Sequence, residues 1–229
     1  MFRDVGPIPN LLLPALFGVF VSVAVWWIQK QIRTILVRRK REQFFTRAGE
    51  SILAKIPQKI SLKETTAHSW SEPSKYEESK AAFESLGFHQ TRTFVGSPQE
   101  WVVEFWLSSK PGLFAKIVDS KTRGVYSEVT VMNRDGVPIS FENTEECELK
   151  HPEPYKWVHC GLITPAQLVE RALQLSRPND AMQMNLAECV NADERSANEY
   201  LAWRRSVGIS ADEVKRIFDR MKRRRSLEA

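Results

Sequence analysis

Cysteine is scarce: Cys147, Cys160 and Cys189 are odd in number and widely spaced in a chain of 229 residues. That argues against a disulfide framework and suits a reducing compartment. Catalytic signatures are missing as well. The chain contains no G-x-x-x-x-G-K-[ST], no G-x-G-x-x-G, no G-x-S-x-G and no H-E-x-x-H, so no phosphate loop, dinucleotide fold, nucleophile elbow or zincin helix is assigned. His68 and His89 have no serine or cysteine motif beside them that would make a nucleophile and base. The carboxylate pairs Glu77-Glu78, Glu145-Glu146 and Asp193-Glu194 lie in polar surroundings, whereas a catalytic acid needs a site that shifts its pKa. No internal repeat is visible.

Metal ligands are equally thin. Cys147, His151, His159 and Cys160 form the one cluster that resembles a zinc set, but structural zinc sites favour paired ligands with two to four residues between them. His159 and Cys160 are adjacent, and on a strand their side chains would leave opposite faces. No catalytic residue, metal or cofactor is therefore assigned, and the chain is expected not to be an enzyme.

Long apolar runs are absent except for one. Residues 11–28 carry no ionisable side chain, and eighteen residues at about 1.5 Å each span roughly 27 Å, enough for a thin hydrocarbon core. Trp26 and Trp27 end the run, where amphipathic rings favour a headgroup boundary. A signal peptide would have its positive charge before the apolar stretch, but here Lys30, Arg33, Arg38, Arg39, Lys40 and Arg41 follow it. A buried core helix would seldom be followed by such a block. The expectation is a single-pass anchor with the N-terminus outside and the rest cytoplasmic. The formal charge of +5 and the pI near 9.1 reflect that block and the C-terminal tail, and do not require nucleic acid.

Beyond the run, Ile28, Ile32, Ile35 and Leu36 recur at helical spacing, which continues the helix into a basic stretch suited to dimer contact or anionic lipid. Residues 57–73 are rich in Lys, Ser and Thr and read as a tether with one short strand. A helix is expected over 74–86, with Tyr76, Ala82, Phe83 and Leu86 on one side and Gly87 as its C-cap. The period then changes to two. Residues 100–107, 113–118, 125–132 and 137–141 are rich in β-branched and aromatic side chains and bounded by the turns Lys110-Pro-Gly112, Lys121-Thr-Arg-Gly124 and Arg134-Asp-Gly136. This implies an antiparallel meander of four to five strands, with residues 155–159 as the fifth. Thr164 and Pro165 open an amphipathic helix that ends before Pro178, and from Asp180 on only helical patterns occur.

The fold class is thus α+β: anchor and basic helix (1–41), tether (42–73), a sheet flanked by amphipathic helices (74–178) and a basic helical tail (179–229). If Trp101, Val103 and Phe105 face the helices, a second sheet face carries Val102, Glu104 and Trp106 with Phe114, Lys116 and Val118 and with Tyr126, Glu128, Thr130 and Met132. Trp106, Phe114, Lys116, Tyr126 and Glu128 are its candidate binding residues, since aromatic anchors among single charges suit a protein or ligand surface.

Residues 200–217 resemble a DNA-binding helix-turn-helix, with Gly208 in the turn, Val207, Ile209, Val214 and Ile217 at its apolar positions, and a Ser210/Glu213 capping box. They depart from it at Arg204, where close packing wants a small residue. In the tail, Val214, Ile217, Phe218 and Met221 make one apolar face among cations; it could lie on an anionic membrane surface or pack on the domain. Arg38, Arg39, Lys40, Arg41, Lys222, Arg223, Arg224 and Arg225 are the candidate membrane-surface residues. The expected function is a membrane-tethered, non-enzymatic protein- or ligand-binding or scaffold module, with lipid and an unknown protein as partners; the alternative is a tethered DNA-binding protein using the tail hairpin.

Overall fold

The structure, a computed structural model, describes residues 12–98, 101–133, 137–145, 149–153, 156–175 and 184–227, with side chains of the first helix described from Trp26 and those of the last up to Arg223. Helix α1 (Leu12–Ala54) is followed by β1 (Ser61–Thr65), α2 (Pro73–Ser85), β2 (Phe88–Ser97), β3 (Trp101–Ser108), β4 (Leu113–Ser120), β5 (Gly124–Met132), β6 (Pro138–Glu142), β7 (Lys156–His159), α3 (Pro165–Leu175), α4 (Leu186–Val207) and α5 (Ala211–Leu227). The class is α+β, and the described residues form a seven-stranded mixed sheet in the order β1 to β7 and five helices.

Among the described residues no helix is long and apolar enough to cross a membrane. This corrects the expectation of a single-pass anchor, and with it the outside N-terminus and the cytoplasmic placement of the remainder. The physical reason is charge. From Trp26 onward α1 carries Lys30, Arg33, Arg38, Arg39, Lys40, Arg41 and Glu42 among its apolar residues, and ionised side chains are costly in hydrocarbon. Of residues 11–28, on which the anchor rested, 11–25 lie outside those whose side chains are described.

The sheet is also larger than the four to five strands expected. Pairing is antiparallel from β1 through β6, and β7 runs parallel to β6, Phe141 opposite Val158. The parallel step follows from the long excursion after Glu142, which brings the chain back to run in the same direction. The segment read as a tether contributes the last turns of α1 and the edge strand β1. Strand β2 was not anticipated, although Thr91, Thr93, Phe94 and Val95 are strand formers. The turns at Gly112 and Gly124 are as expected, each at positive φ (65° and 70°); the turn at Arg134-Asp-Gly136 lies outside the described residues.

Both faces of the sheet are covered. On one side Phe83 of α2 and Leu168, Val169 and Ala172 of α3 pack on Phe88, Trp106, Leu113, Ala115, Ile117, Val129, Val131 and Phe141. On the other, Cys189 and Val190 of α4 pack on Phe94, Val103, Phe105, Phe114, Val118 and Met132. Each such aliphatic or aromatic side chain contributes on the order of 1.5–3 kcal/mol by leaving water. Helix starts follow their caps: Thr164 and Gln167 exchange hydrogen bonds at α3, and Asn185 and Glu188 form a full capping box at α4.

Helix α4 is fastened by polar contacts as well. Lys116 on β4 lies 2.7 Å from Glu128 on β5 and also pairs with Asp193 of α4, while Asn198 accepts from the Ile60 amide (2.8 Å) and donates to its carbonyl (2.9 Å). Helix α5 turns back at Gly208 (φ 76°) and packs on α1. Val214 is buried, and the Phe218 ring lies 5.7 and 5.8 Å from those of Phe44 and Phe45. At the crossing, a Cβ on Gly49 would stand 2.6 Å from the Ile209 carbonyl oxygen, so only glycine admits this approach.

Candidate functional site

The five candidate sheet residues do not share one open face. Phe105 pairs with Lys116 and Leu107 with Phe114, whereas Trp106 pairs with Ala115 and Glu104 with Ile117. Residues directly opposite on neighbouring strands share a face. Phe114, Lys116, Tyr126 and Glu128 therefore lie together on the α4 side, and Trp106 lies on the α2/α3 side. Phe114, Lys116 and Glu128 are buried; Tyr126 is half-buried, with the Arg123 guanidinium 5.5 Å from its ring centroid. Burial alone would lower the Lys116 pKa, but the Asp193 and Glu128 carboxylates more than offset it and keep the ammonium charged.

The basic candidates lie on two helices. Arg38, Arg39, Lys40 and Arg41 are exposed on α1, Arg38 within 3.5 Å of Glu42 and Arg41 over the Phe45 ring at 5.6 Å. Lys222 and Arg223 are exposed on α5; the side chains of Arg224 and Arg225 lie outside the described residues. The helix hairpin at Gly208 forms, and the apolar side of α5 is occupied by α1. Arg204, the departure from the helix-turn-helix pattern, is 1% exposed. Its guanidinium bridges Glu213, the Lys150 and Gly208 carbonyls and the Tyr200 hydroxyl, with Trp203 4.7 Å away on one face.

His151 and His159 come near each other, ring centroids 6.3 Å apart, with His151 between Trp157 and Tyr200 (4.6 and 5.1 Å). Burial, with His159 adding to it, pushes the His151 pKa down to about 4. Glu142 receives the Thr144 hydroxyl and the Arg123 guanidinium, both at 2.9 Å, and has His159 at 3.4 Å. Among the described residues no group of three His, Cys, Asp or Glu side chains is placed to hold a metal ion; Cys147 lies outside them.

A different place collects unsatisfied chemistry. Between α2 and strands β2 and β3 is a cavity of about 400 Å³ lined by Tyr76, Lys80, Glu84, Phe88, His89, Thr91, Glu104 and Trp106. Tyr76, Lys80 and Glu84 are spaced by four, so one side of α2 presents all three. Glu104 and Trp106 are spaced by two on β3 and share its face. The register of β2 against β3 slips between His89 and Thr91, a bulge at the cavity's edge of the kind that re-aims side chains near sites.

Inside this cavity two polar atoms are left over. Glu104 is 7% exposed and Trp106 3%, yet among the described residues Glu104 Oε2 and Trp106 Nε1 have no hydrogen-bond partner of good geometry. An orphaned buried polar group costs on the order of 1–3 kcal/mol, more when charged. Burial drives the Glu104 pKa up, and the Tyr76 and Thr91 hydroxyls, the Lys80 ammonium and the Trp106 indole, which faces the carboxylate without completing a hydrogen bond of good geometry, offset only part of that. The Tyr76 hydroxyl is likewise raised, by its own burial and then by the Glu104 charge, and its ring stacks on Trp70 at 4.4 Å.

Sequence reasoning placed Glu104 beside Trp106 on one strand face but missed the contribution of Tyr76 and Lys80 to the same cleft. The available signal was a lone carboxylate in Trp101-Val-Val-Glu-Phe-Trp-Leu107, on the same alternation as an indole. No protein-family model matches the chain, and neither the curated proteins nor the solved structures give a significant match.

Proposed function

We propose that the protein is a non-enzymatic binding module whose sheet, closed by helices on both faces, is a rigid frame for a small-ligand site between α2 and strands β2 and β3. One observation carries this: an acceptor, Glu104 Oε2, and a donor, Trp106 Nε1, are buried in the same cavity with no hydrogen bond of good geometry among the described residues. Pockets that orient small molecules combine apolar wall with convergent polar groups; here the rings of Tyr76, Phe88 and Trp106 stand among Lys80, Glu84, His89, Thr91 and Glu104. A ligand that completes both hydrogen bonds recovers free energy the empty site forgoes.

The test is thermal unfolding of the full chain against a library of small polar compounds. Ligands of the site raise the midpoint of the wild type and leave Glu104→Gln and Trp106→Phe unmoved. A library in which no compound discriminates wild type from these variants contradicts the proposal.

A second reading rests on the hairpin of α4 and α5. Lys215, Arg216, Lys222 and Arg223 are exposed on α5, and this basic side supports nucleic-acid binding as the alternative. Phosphate contacts make affinity fall steeply with salt, so duplex binding that weakens from 50 to about 200 mM salt and with Lys215→Gln/Arg216→Gln favours it; salt-independent or absent binding removes it.

A further inference from the structure

We infer that the cavity between α2 and β3 takes a small zwitterion of the amino-acid class, its ammonium received by Glu104 and its carboxylate by the Trp106 indole N–H and the Lys80 ammonium. This rests on the ligand-binding reading above and names the chemistry of the ligand.

The two atoms want opposite things, and although the indole faces the Glu104 carboxylate, neither completes a hydrogen bond of good geometry among the described residues. A carboxylate oxygen can only accept, and an indole N–H can only donate. Glu104 and Trp106 are two residues apart on one strand, about 7 Å between backbones, so a single small molecule with a donor and an acceptor close together can serve both. The charged groups are also of both signs. Glu84 and Glu104 stand against Lys80 in the same lining, and a ligand of one sign would meet a like charge somewhere in the site.

A simple carboxylate would satisfy Trp106 and Lys80 but confront Glu104. A simple amine would satisfy Glu104 and leave the indole unpaired. A dipolar molecule with an ammonium and a carboxylate on neighbouring carbons meets each group with its complement, and charge-assisted hydrogen bonds of this kind are about twice as strong as neutral ones.

Shape agrees with this assignment. The rings of Tyr76, Phe88 and Trp106 give the cavity apolar wall, and about 400 Å³ leaves room for a side chain beyond the two charged groups. Tyr76 is braced from outside by Trp70, so that wall does not depend on the ligand for its position. An arriving ammonium would also favour the ionised form of Glu104, which burial disfavours in the empty protein. Binding should then release protons from the fraction of molecules in which Glu104 is protonated.

Isothermal titration of the full chain tests the inference. Each of a panel of α-amino acids is compared with its decarboxylated amine and its deaminated acid, and with an uncharged amide of similar size. At least one amino acid should bind, with its amine and acid each about tenfold weaker or worse, one lost charge-assisted contact being on the order of 1.4 kcal/mol. Glu104→Gln should weaken amino acid and amine alike by about tenfold or more. Lys80→Met, a change on a partly exposed helix position, should weaken the amino acid and acid but spare the amine.

A site that binds uncharged amides or other compounds better than any zwitterion overturns this inference and leaves the ligand-binding reading standing. Amino-acid binding that Glu104→Gln and Lys80→Met leave intact overturns it too, by placing the ligand elsewhere. Absence of any ligand at wild type and variants alike overturns both.

Discussion

Arg204 Nη2 lies 2.8 Å from Glu213 Oε1, and the two side chains are 1% and 3% exposed. The pair joins the end of α4 to the start of α5, and Glu213 extends it by accepting the Lys150 amide at 2.8 Å and capping α5 at Ser210. A residue that looked like a defect in a helix-turn-helix is thus the pivot on which the two helices are set.

Removing one partner should be far worse than removing both. Arg204→Ala leaves the Glu213 carboxylate buried against unpaired carbonyls and should cost about 3–5 kcal/mol in urea unfolding. The double change Arg204→Met/Glu213→Leu should cost much less than the sum of the single losses. Additive losses would mean the pair is not coupled.

Part of the response to acid follows from three groups, Glu213, Glu142 and His151. Glu213 and Glu142 are each held at about 2 against an ordinary 4.5. Burial works against the ionised form in both; it is outweighed by the Lys150 amide and Arg204 for Glu213, and by His159 and Arg123 for Glu142. Their contribution is complete above about pH 4.5 and is lost as pH falls toward 2. His151 is lowered from 6.5 to about 4, so the fold prefers it neutral, and its contribution is complete above 6.5 and lost as pH falls from 6.5 toward 4. Melting midpoints should therefore decline in two stages, and His151→Phe, which keeps an aromatic between Trp157 and Tyr200, should flatten only the upper one. An unchanged slope between pH 6.5 and 4 in that variant would contradict the assignment.

Gly49→Ala should loosen the contact between α1 and α5. The added Cβ meets the Ile209 carbonyl oxygen at 2.6 Å and the Val214 side chain at 3.3 Å, and a backbone oxygen cannot move aside as a flexible side chain can. A cost of about 1–3 kcal/mol is expected, with amide exchange accelerating in α5 and the sheet unaffected. Uniform acceleration across the sheet would show that this contact holds the whole fold.

Much of the framework was legible because local chemistry wrote it. Thr164-Pro165 opens α3, Ser210 and Glu213 cap α5, and strands β3 to β6 follow alternation and their turns. The one short strand expected within residues 57–73 is β1, whose place at the sheet edge was not legible because Ser61-Leu-Lys-Glu-Thr65 is mostly exposed and lacks an apolar alternation; strand β2 was missed altogether. The candidate sheet face failed on register. Pairing Phe105 with Lys116 instead of Trp106 with Lys116 is a shift of one residue, and one residue exchanges the faces. That Glu104 and Trp106 share a face was visible from their spacing; that α2 forms a cleft with them depends on a helix-to-sheet contact no local pattern encodes. The anchor was argued from residues 11–28 alone, and no helix among the described residues supports it.

The most direct measurement of the central claim is the indole N–H resonance of Trp106 in the full chain, assigned through Trp106→Phe and followed as small polar ligands are added. If Glu104 and Trp106 frame a binding site, the resonance is present without ligand, shifts saturably with a ligand that also raises the melting midpoint, and ceases to respond in Glu104→Gln. A Trp106 resonance that stays fixed while such ligands bind, or that shifts equally in Glu104→Gln, would contradict the account.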